Sequence, residues 1–361
     1  SEEDFDCGIM VSASHNPFYD NGIKIFNHEG IKMPEDILLQ IEDYMDGKSQ
    51  IELATGESVG EYFDWETGLE LYISWLKKTN SMDLSGMHIA VDLANGSACS
   101  TAVETLDALG ATVDAINASP NGVNINLKAG STHPEGLQRF VIENQCDIGL
   151  AFDGDADRLI AVDAKGRLIN GDYILYILGL HMHEQNKLNQ NIVVTTVMAN
   201  LGLYKAFQKN NIDYIQTPVG DKYVLEEMMK HDYSLGGEQS GHIIFYKDEV
   251  TGDGLFSALR LLHVMKETGK SLEELANGLY IYPQLLENVQ VKDKNIVLHD
   301  EDIQAKIDEV AQFLGEEGRI LVRPSGTEPL IRVMVEAATQ KLCEDCVHMV
   351  TDLIYKKGYA A

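Results

Sequence analysis

Basic residues are scarce in this sequence: 28 lysines and arginines stand against 57 aspartates and glutamates, for a net charge of −29. A field of that sign repels phosphate backbones and anionic headgroups, which argues against nucleic acid or a membrane surface as partner. No apolar run reaches the length that crosses a bilayer, and no signal-peptide pattern opens the chain. Cysteine is sparse as well. The five, Cys7, Cys99, Cys146, Cys343 and Cys346, are odd in number and scattered, which fits free thiols in a reducing cytosol. Cys343-x-x-Cys346 sits in the amphipathic run KLCEDCVHMVTDLI with no second pair, so both read as helix residues, and nearby His348 does not alter that. The G-x-S-x-G nucleophile elbow is missing, which argues against an α/β-hydrolase serine.

What is present points to several α/β domains. The 361 residues exceed one ordinary core, and 44% hydrophobic with 24% charged content is globular. Strand and helix patterns alternate: MHIAVDLA, a helix over 100–109, ATVDAIN, PEGLQRFVIENQ as helix, CDIGLAFD as strand, then NIVVTTVM, LGLYKAFQKN, IDYIQTPV and GDKYVLEEMMKHD. Such alternation predicts mixed sheets flanked by helices. The expected divisions are 1–75, 76–170, 171–281 and 282–361, the last a small α+β unit. The first piece holds only a buried strand at CGIMV, the strand GIKIFN, the helix PEDILLQIEDYMDG and a connecting helix from WETGLELYISWLKK. It is too small for a complete domain. The opening SEEDFD has no Met and looks like an arbitrary entry point, so elements before Ser1 are expected.

Four loops carry chemistry. SASHNP, at 12–17, ends the first strand with two hydroxyls, an imidazole and an amide. Alone it reads as a turn. In DGDADR, Asp153, Asp155 and Asp157 alternate after a buried strand. Carboxylates so close repel unless a cation joins them, and hard oxygen donors suit Mg²⁺. An EF-hand fails because Arg158 and Ala164 stand where Gly and Glu are required. A haloacid-dehalogenase-type phosphatase with Asp153 as nucleophile, or a plain hairpin with solvated aspartates, remains open. GGEQSGH (236–242) frames Glu238, Ser240 and His242 with glycine, a pattern suited to sugar hydroxyls or to a bare surface loop. TPVGDKYV offers Thr217, Gly220, Asp221 and Lys222 at a helix start, where an anion could sit. RPSGTEPLIR gathers Arg323, Ser325, Gly326, Thr327 and Arg332, two guanidinium groups and two hydroxyls in a permissive turn that suits phosphate.

In this order the loops resemble the α-D-phosphohexomutase family, whose motifs [ST]-A-S-H-N-P, D-G-D-x-D-R, G-E-x-S-G-H and R-x-S-G-T-E-P match SASHNP, DGDADR, GEQSGH and RPSGTEP. The resemblance spans the chain, one loop per domain, around a central cleft. Roughly eighty to ninety opening residues of the family are absent, among them a G-T-x-G-x-R-G segment. Gln239 with SASHNPFYDNGIK is most similar to the bacterial phosphoglucosamine branch. The resemblance implies that phosphoserine 14 exchanges its phosphoryl group between glucosamine 6-phosphate and glucosamine 1-phosphate through glucosamine 1,6-bisphosphate. It further implies Mg²⁺ on Ser14, Asp153, Asp155 and Asp157, with His15 and Arg158 beside it and Lys24 as general acid/base. Glu238 and Ser240 would take sugar hydroxyls, and Arg323, Ser325, Gly326 and Thr327 the idle phosphate. A cytoplasmic enzyme on small sugar phosphates follows, with a homodimer left open. A phosphomannomutase/phosphoglucomutase activity and a non-catalytic sugar-phosphate-binding fragment are the alternatives.

Overall fold

The strand expected at CGIMV forms as β1 (Cys7–Ser12), yet it is not buried. In the computed structural model, which describes residues 5–325 and 328–361, β1 pairs antiparallel with β2 (Gly22–Asn27) and with no other described strand. Ile9 and Val11 remain exposed. A two-stranded ribbon has no second layer over its faces, so apolar character alone did not predict coverage. The register Met10↔Lys24 fixes where Lys24 projects. Two amphipathic helices follow, α1 (Glu35–Met45) and α2 (Gly68–Thr79).

The next elements are β3 (His88–Asp92), α3 (Ala102–Ala108), β4 (Thr112–Ile116), α4 (Glu135–Asn144), β5 (Ile148–Phe152), β6 (Leu159–Asp163) and β7 (Leu168–Ile169). They build a sheet of order β4-β3-β5-β6-β7, parallel through β4, β3 and β5 and antiparallel beyond. β5 and β6 are buried throughout, as strands covered on both faces must be. Phe152↔Leu159 closes their hairpin, so the three aspartates ride on a tight turn.

A second sheet repeats the device. Its elements are α5 (Gly171–Glu184), β8 (Ile192–Thr196), α6 (Leu201–Lys209), β9 (Asp213–Thr217), α7 (Asp221–His231), β10 (Leu235–Gly237), β11 (Ile243–Ile244), α8 (Gly254–Thr268) and α9 (Leu272–Ala276). The order is β11-β10-β8-β9, with β11 antiparallel to β10. In both sheets a polar loop leaves the carboxyl end of a parallel strand and returns antiparallel. Ligand loops of open α/β sheets gather at such strand ends.

Contacts divide the chain into two compact units, one running to Met198 and resuming over Asn210–Asn277, the other Ala199–Lys209 with Gly278–Ala361. The second holds β12 (Gln284–Gln290), α10 (Lys294–His299), α11 (Glu301–Leu314), β13 (Gly318–Pro324), β14 (Leu330–Ala337) and α12 (Gln340–Lys356). The sheet is antiparallel, in the order β12-β14-β13. Its core joins Val289, Ile331, Val333 and Val335 to Cys343, Cys346 and Val350 of α12. Both Cys-x-x-Cys thiols are therefore core side chains. No described helix is long and apolar enough to cross a membrane.

Candidate active site

Ser14 follows β1 in a turn closed by Asn16 N–H donating to the Ala13 carbonyl. Its φ of 51° is left-handed, uncommon for a residue with a side chain, so neighbours must hold it. They do. Ser14 N–H donates to Ser12 Oγ (2.8 Å), and the Ser14 carbonyl accepts from Gly154 N–H (3.0 Å) and Asn126 Nδ2 (2.7 Å). Asn126, 7% exposed, also donates to the Asn16 carbonyl at 2.8 Å. A Cβ on Gly154 would meet the Ser14 carbonyl at 2.5 Å, so the serine loop and the carboxylate loop touch backbone to backbone. His15 Nδ1 lies 3.4 Å from Ser14 Oγ. Burial, then the Arg158 charge, lowers the His15 pKa and favours the neutral ring.

The carboxylate loop is buried: Asp153 is 0% and Asp155 9% exposed. Lys24 Nζ reaches in from β2, 2.5 Å from Asp155 Oδ2 and 2.8 Å from Asp157 Oδ2. Burial lowers the Lys24 pKa, but Asp157 and Asp155 outweigh it and hold the ammonium above the ordinary lysine value. Burial, then the charges of Asp157 and Asp155, raises Asp153. Asp157 is lowered: His242 and Lys24 outweigh its burial. Arg158 N–H donates to Asp153 Oδ1 (3.2 Å), and its Nε lies 3.9 Å from Asp153 Oδ2. Asp153, Asp155 and Asp157 each offer a donor oxygen within 4.8 Å of the others, and Asp153 Oδ2, Asp155 Oδ1 and Asp157 Oδ1 are buried without a hydrogen-bond partner. Buried orphaned oxygens are costly unless a cation takes them, so the residues fit a hard divalent ion.

The loop after β10 is tied to the carboxylates by His242, whose Nδ1 lies 3.7 Å from Asp157 Oδ2 and Nε2 3.6 Å from Asp221 Oδ2. Burial opposes its charge, yet Asp157, Asp221 and Glu238 raise its pKa. Gly241, at φ 95°, accepts at its carbonyl from Leu159 N–H (2.9 Å), and a Cβ there would meet the Leu159 carbonyl at 2.1 Å. Glu238 Oε1 accepts from Gly220 N–H (3.1 Å). Ser240 is exposed. Gln239 turns the other way and donates to the buried Asp172 Oδ2 at 3.0 Å. Asp221 pairs with Lys32, a cation the sequence reading passed over. Thr217 Oγ1 donates back to the Thr195 and Pro218 carbonyls, and Lys222 reaches Glu35 at 3.1 Å on the surface. The geometry turns those two side chains to protein partners, because a nearby carbonyl or carboxylate was available and sequence spacing could not foresee it.

In the second unit, Arg323 and Arg332 are directly paired across β13 and β14. Burial, then the Arg332 charge, lowers the Arg323 pKa. Like charges face to face across strands destabilise a sheet; Glu328 Oε2, 3.5 Å from Arg332 Nη2, offsets part of that charge, and the pair still suits an anion. Ser325 is 2% exposed, and Lys294 Nζ donates to the Ser325 (2.7 Å) and Glu328 (3.2 Å) carbonyls. Lys294 adds a third cation that no motif announced. Gly326 and Thr327 lie outside the described residues.

Four family domains match the chain: Phosphoglucomutase/phosphomannomutase alpha/beta/alpha domain I over 1–52, domain II over 70–166, domain III over 170–282 and the C-terminal domain over 286–353. Each match contains one of the four loops. A phosphoglucosamine mutase of Lachnospira eligens is 53% identical over 359 residues, which are 99% of this chain and 80% of that protein. This chain belongs to the α-D-phosphohexomutase family. It is an isomerase of the phosphohexomutase kind. The phosphoglucosamine mutase of Bacillus subtilis is 48% identical over 352 residues, 97% of this chain and 79% of that one. Among solved structures, the N-acetylphosphoglucosamine mutase of Aspergillus fumigatus in complex with GlcNAc-6P and magnesium shares the fold. Its TM-score is 0.80 at 19% identity, covering 98% of this chain and 89% of that one.

Proposed function

We propose that this phosphohexomutase interconverts glucosamine 6-phosphate and glucosamine 1-phosphate through phosphoserine 14 and glucosamine 1,6-bisphosphate. One observation carries the reading: the Ser14 carbonyl accepts from Gly154 N–H, which sets the serine loop against three carboxylates with unpaired buried oxygens. The sugar assignment rests on the named relatives near half identity. Asp153, at 0% exposure with Oδ1 held by Arg158 N–H, is poorly disposed to be the nucleophile of a phosphatase.

In the proposed reaction the Ser14 Oγ–P bond breaks, a bond from phosphorus to a sugar oxygen forms, and the sugar hydroxyl proton ends, by way of Lys24, on the freed Ser14 oxygen. The resulting bisphosphate turns around and returns its other phosphoryl group to Ser14. Asp153, Asp155 and Asp157 would hold Mg²⁺, which when bound offsets charge on the phosphoryl oxygens. Lys24 exchanges the hydroxyl proton at Nζ. Paired with Asp155 and Asp157 it is an acid, and leaving that pair moves it toward a base. His15 and Arg158 flank the transferring group with a hydrogen bond and a charge. Glu238 and Ser240 grip hydroxyls, and His242 braces Asp157 against Asp221; in the second unit, Arg323, Ser325 and Arg332 suit a phosphate group. Such a site works in the cytosol, where sugar phosphates reside.

The test is a coupled assay of glucosamine 1-phosphate against glucose 1-phosphate and mannose 1-phosphate, with intact-mass detection of phosphate on the peptide spanning 12–17. A phosphorylated Ser14 and the highest kcat/KM on the glucosamine compound are expected. Preference for another hexose phosphate would overturn the substrate, and turnover without Ser14 phosphate would overturn the carrier.

A further inference from the structure

His88, Asp114 and Cys146 bring an imidazole, a carboxylate and a thiol together at the far end of the five-stranded sheet. His88 opens β3, Asp114 lies in β4 and Cys146 leads into β5, so three adjacent parallel strands contribute one group each. The aspartate loop leaves the opposite end of β5. Five strand residues at about 3.3 Å each keep the two clusters roughly 16 Å or more apart.

His88 Nε2 lies 2.8 Å from Asp114 Oδ2 and 3.7 Å from Cys146 Sγ. Both contacts fall on the same ring nitrogen. A Cys–His–Asp nucleophile relay needs the thiol and the carboxylate on opposite nitrogens, so that reading fails. Donors that converge on one point surround an ion instead, and all three donor atoms lie within 4.8 Å of one another. A tetrahedral zinc site with bonds of about 2.0–2.3 Å sets its donors about 3.3–3.6 Å apart. The Nε2–Sγ separation is already close to that spacing, and the Nε2–Oδ2 hydrogen bond opens by about half an ångström to admit the ion.

Two further observations point the same way. Cys146 is 1% exposed, with its Sγ held 3.7 Å from His88 Nε2 and turned away from water. Asp147 Oδ2 accepts from the His88 backbone N–H at 2.8 Å and fixes the strand start that carries the imidazole. The donor set also selects. A thiolate with an imidazole favours zinc-class ions and disfavours Mg²⁺, which takes oxygen.

We propose that His88, Asp114 and Cys146 bind a zinc-class divalent ion, completed by water, that clamps the middle of β4 to the amino ends of β3 and β5. Its role is structural, and it is separate from the carboxylate loop.

Cobalt(II) titration of the full chain, with excess Mg²⁺ present to occupy the oxygen donors, tests this. A thiolate-to-cobalt charge-transfer band should grow to one ion per chain and be displaced by Zn²⁺. It should vanish in Cys146→Ser, persist in Asp155→Asn, and need at least about tenfold more cobalt in Asp114→Asn. Absence of the band in the wild type, or its survival in Cys146→Ser, overturns the proposal. Should Cys146→Ser fail to fold, His88→Gln decides: an unchanged band there is equally fatal. Zn²⁺ should also raise the Tm of the wild type and leave that of His88→Gln where it was.

Discussion

The Asn126 side-chain amide donates to the backbone carbonyl of Ser14 over 2.7 Å, although 112 positions separate them in sequence. With a second bond to the Asn16 carbonyl, it holds the turn that presents the serine. Two bonds worth about 1 kcal/mol each correspond to roughly a 30-fold loss of rate. Asn126 has φ 57°, so Asn126→Gly removes the amide without adding backbone strain. It should lower kcat about 30-fold and leave KM near its starting value, because the amide places the carrier and not the sugar. Steady-state kinetics decide. A kcat equal to wild type would remove Asn126 from this role.

Ser14→Ala and Ser12→Ala should separate widely. Loss of the carrier removes the covalent route and should cost about 10⁴-fold or more in kcat. Ser12 Oγ only accepts from Ser14 N–H, so its loss should cost about tenfold at most. Equal losses would mean that the carrier is misassigned.

Chelation should abolish turnover and Mg²⁺ restore it. Asp155→Asn should weaken Mg²⁺ binding by more than the roughly 10–100-fold typical of losing an outer partner. It also frees Lys24 from one of its two carboxylates. Calorimetric titration of Mg²⁺ reads the effect directly, and wild-type affinity in the variant would exclude Asp155 as a ligand.

Gln239→Met separates a marker from a determinant. Since Gln239 donates to buried Asp172, its loss should lower stability by about 1–3 kcal/mol and leave the selectivity for glucosamine over glucose phosphates unchanged. Urea unfolding and the ratio of kcat/KM values measure the two separately. A shifted ratio at wild-type stability would return Gln239 to the sugar.

Glu249 supplies a pH signature. Burial, then Asp253 and Asp248, raises its pKa, and its Oε1 has no hydrogen-bond partner. An acid raised in the folded state gives up its proton sooner when unfolded, so stability falls as pH climbs above about 4.3 toward the raised folded value. Glu249→Gln should therefore melt higher than wild type at neutral pH, with the gap closing below about pH 4. A gap independent of pH would show that the group is not raised.

The sequence exposed the four loops because glycine and polar residues at strand ends have few structural uses, and their order narrowed the choice further. It placed α1 to α4, α6, α7 and α12 and most strands by their periodicity, and passed over α5 and α8, which are buried along most of their length and so carry little amphipathic signal. It misjudged β1, since an apolar run states a preference for burial and not the presence of a covering layer. Asn126 and Lys294 escaped notice because each acts on backbone carbonyls, and a carbonyl leaves no mark on residue identity. Gln239, Thr217 and Lys222 were visible as residues but not as directions: Asp172, the Thr195 carbonyl and Glu35 decided where they point.

The bond from Leu159 N–H to the Gly241 carbonyl has a bearing on chimaeras between family members. It joins the end of the aspartate hairpin to the loop after β10 with no space for a Cβ at Gly241, so neither can shift alone. A crossover between residues 159 and 241 splits this contact between two parents, whereas one placed before residue 153 or after residue 242 inherits it whole. Recombinants of the second kind should keep the relative pose of carboxylates and sugar loop, and new hexose preferences are best sought by exchanging both hairpins as one cassette.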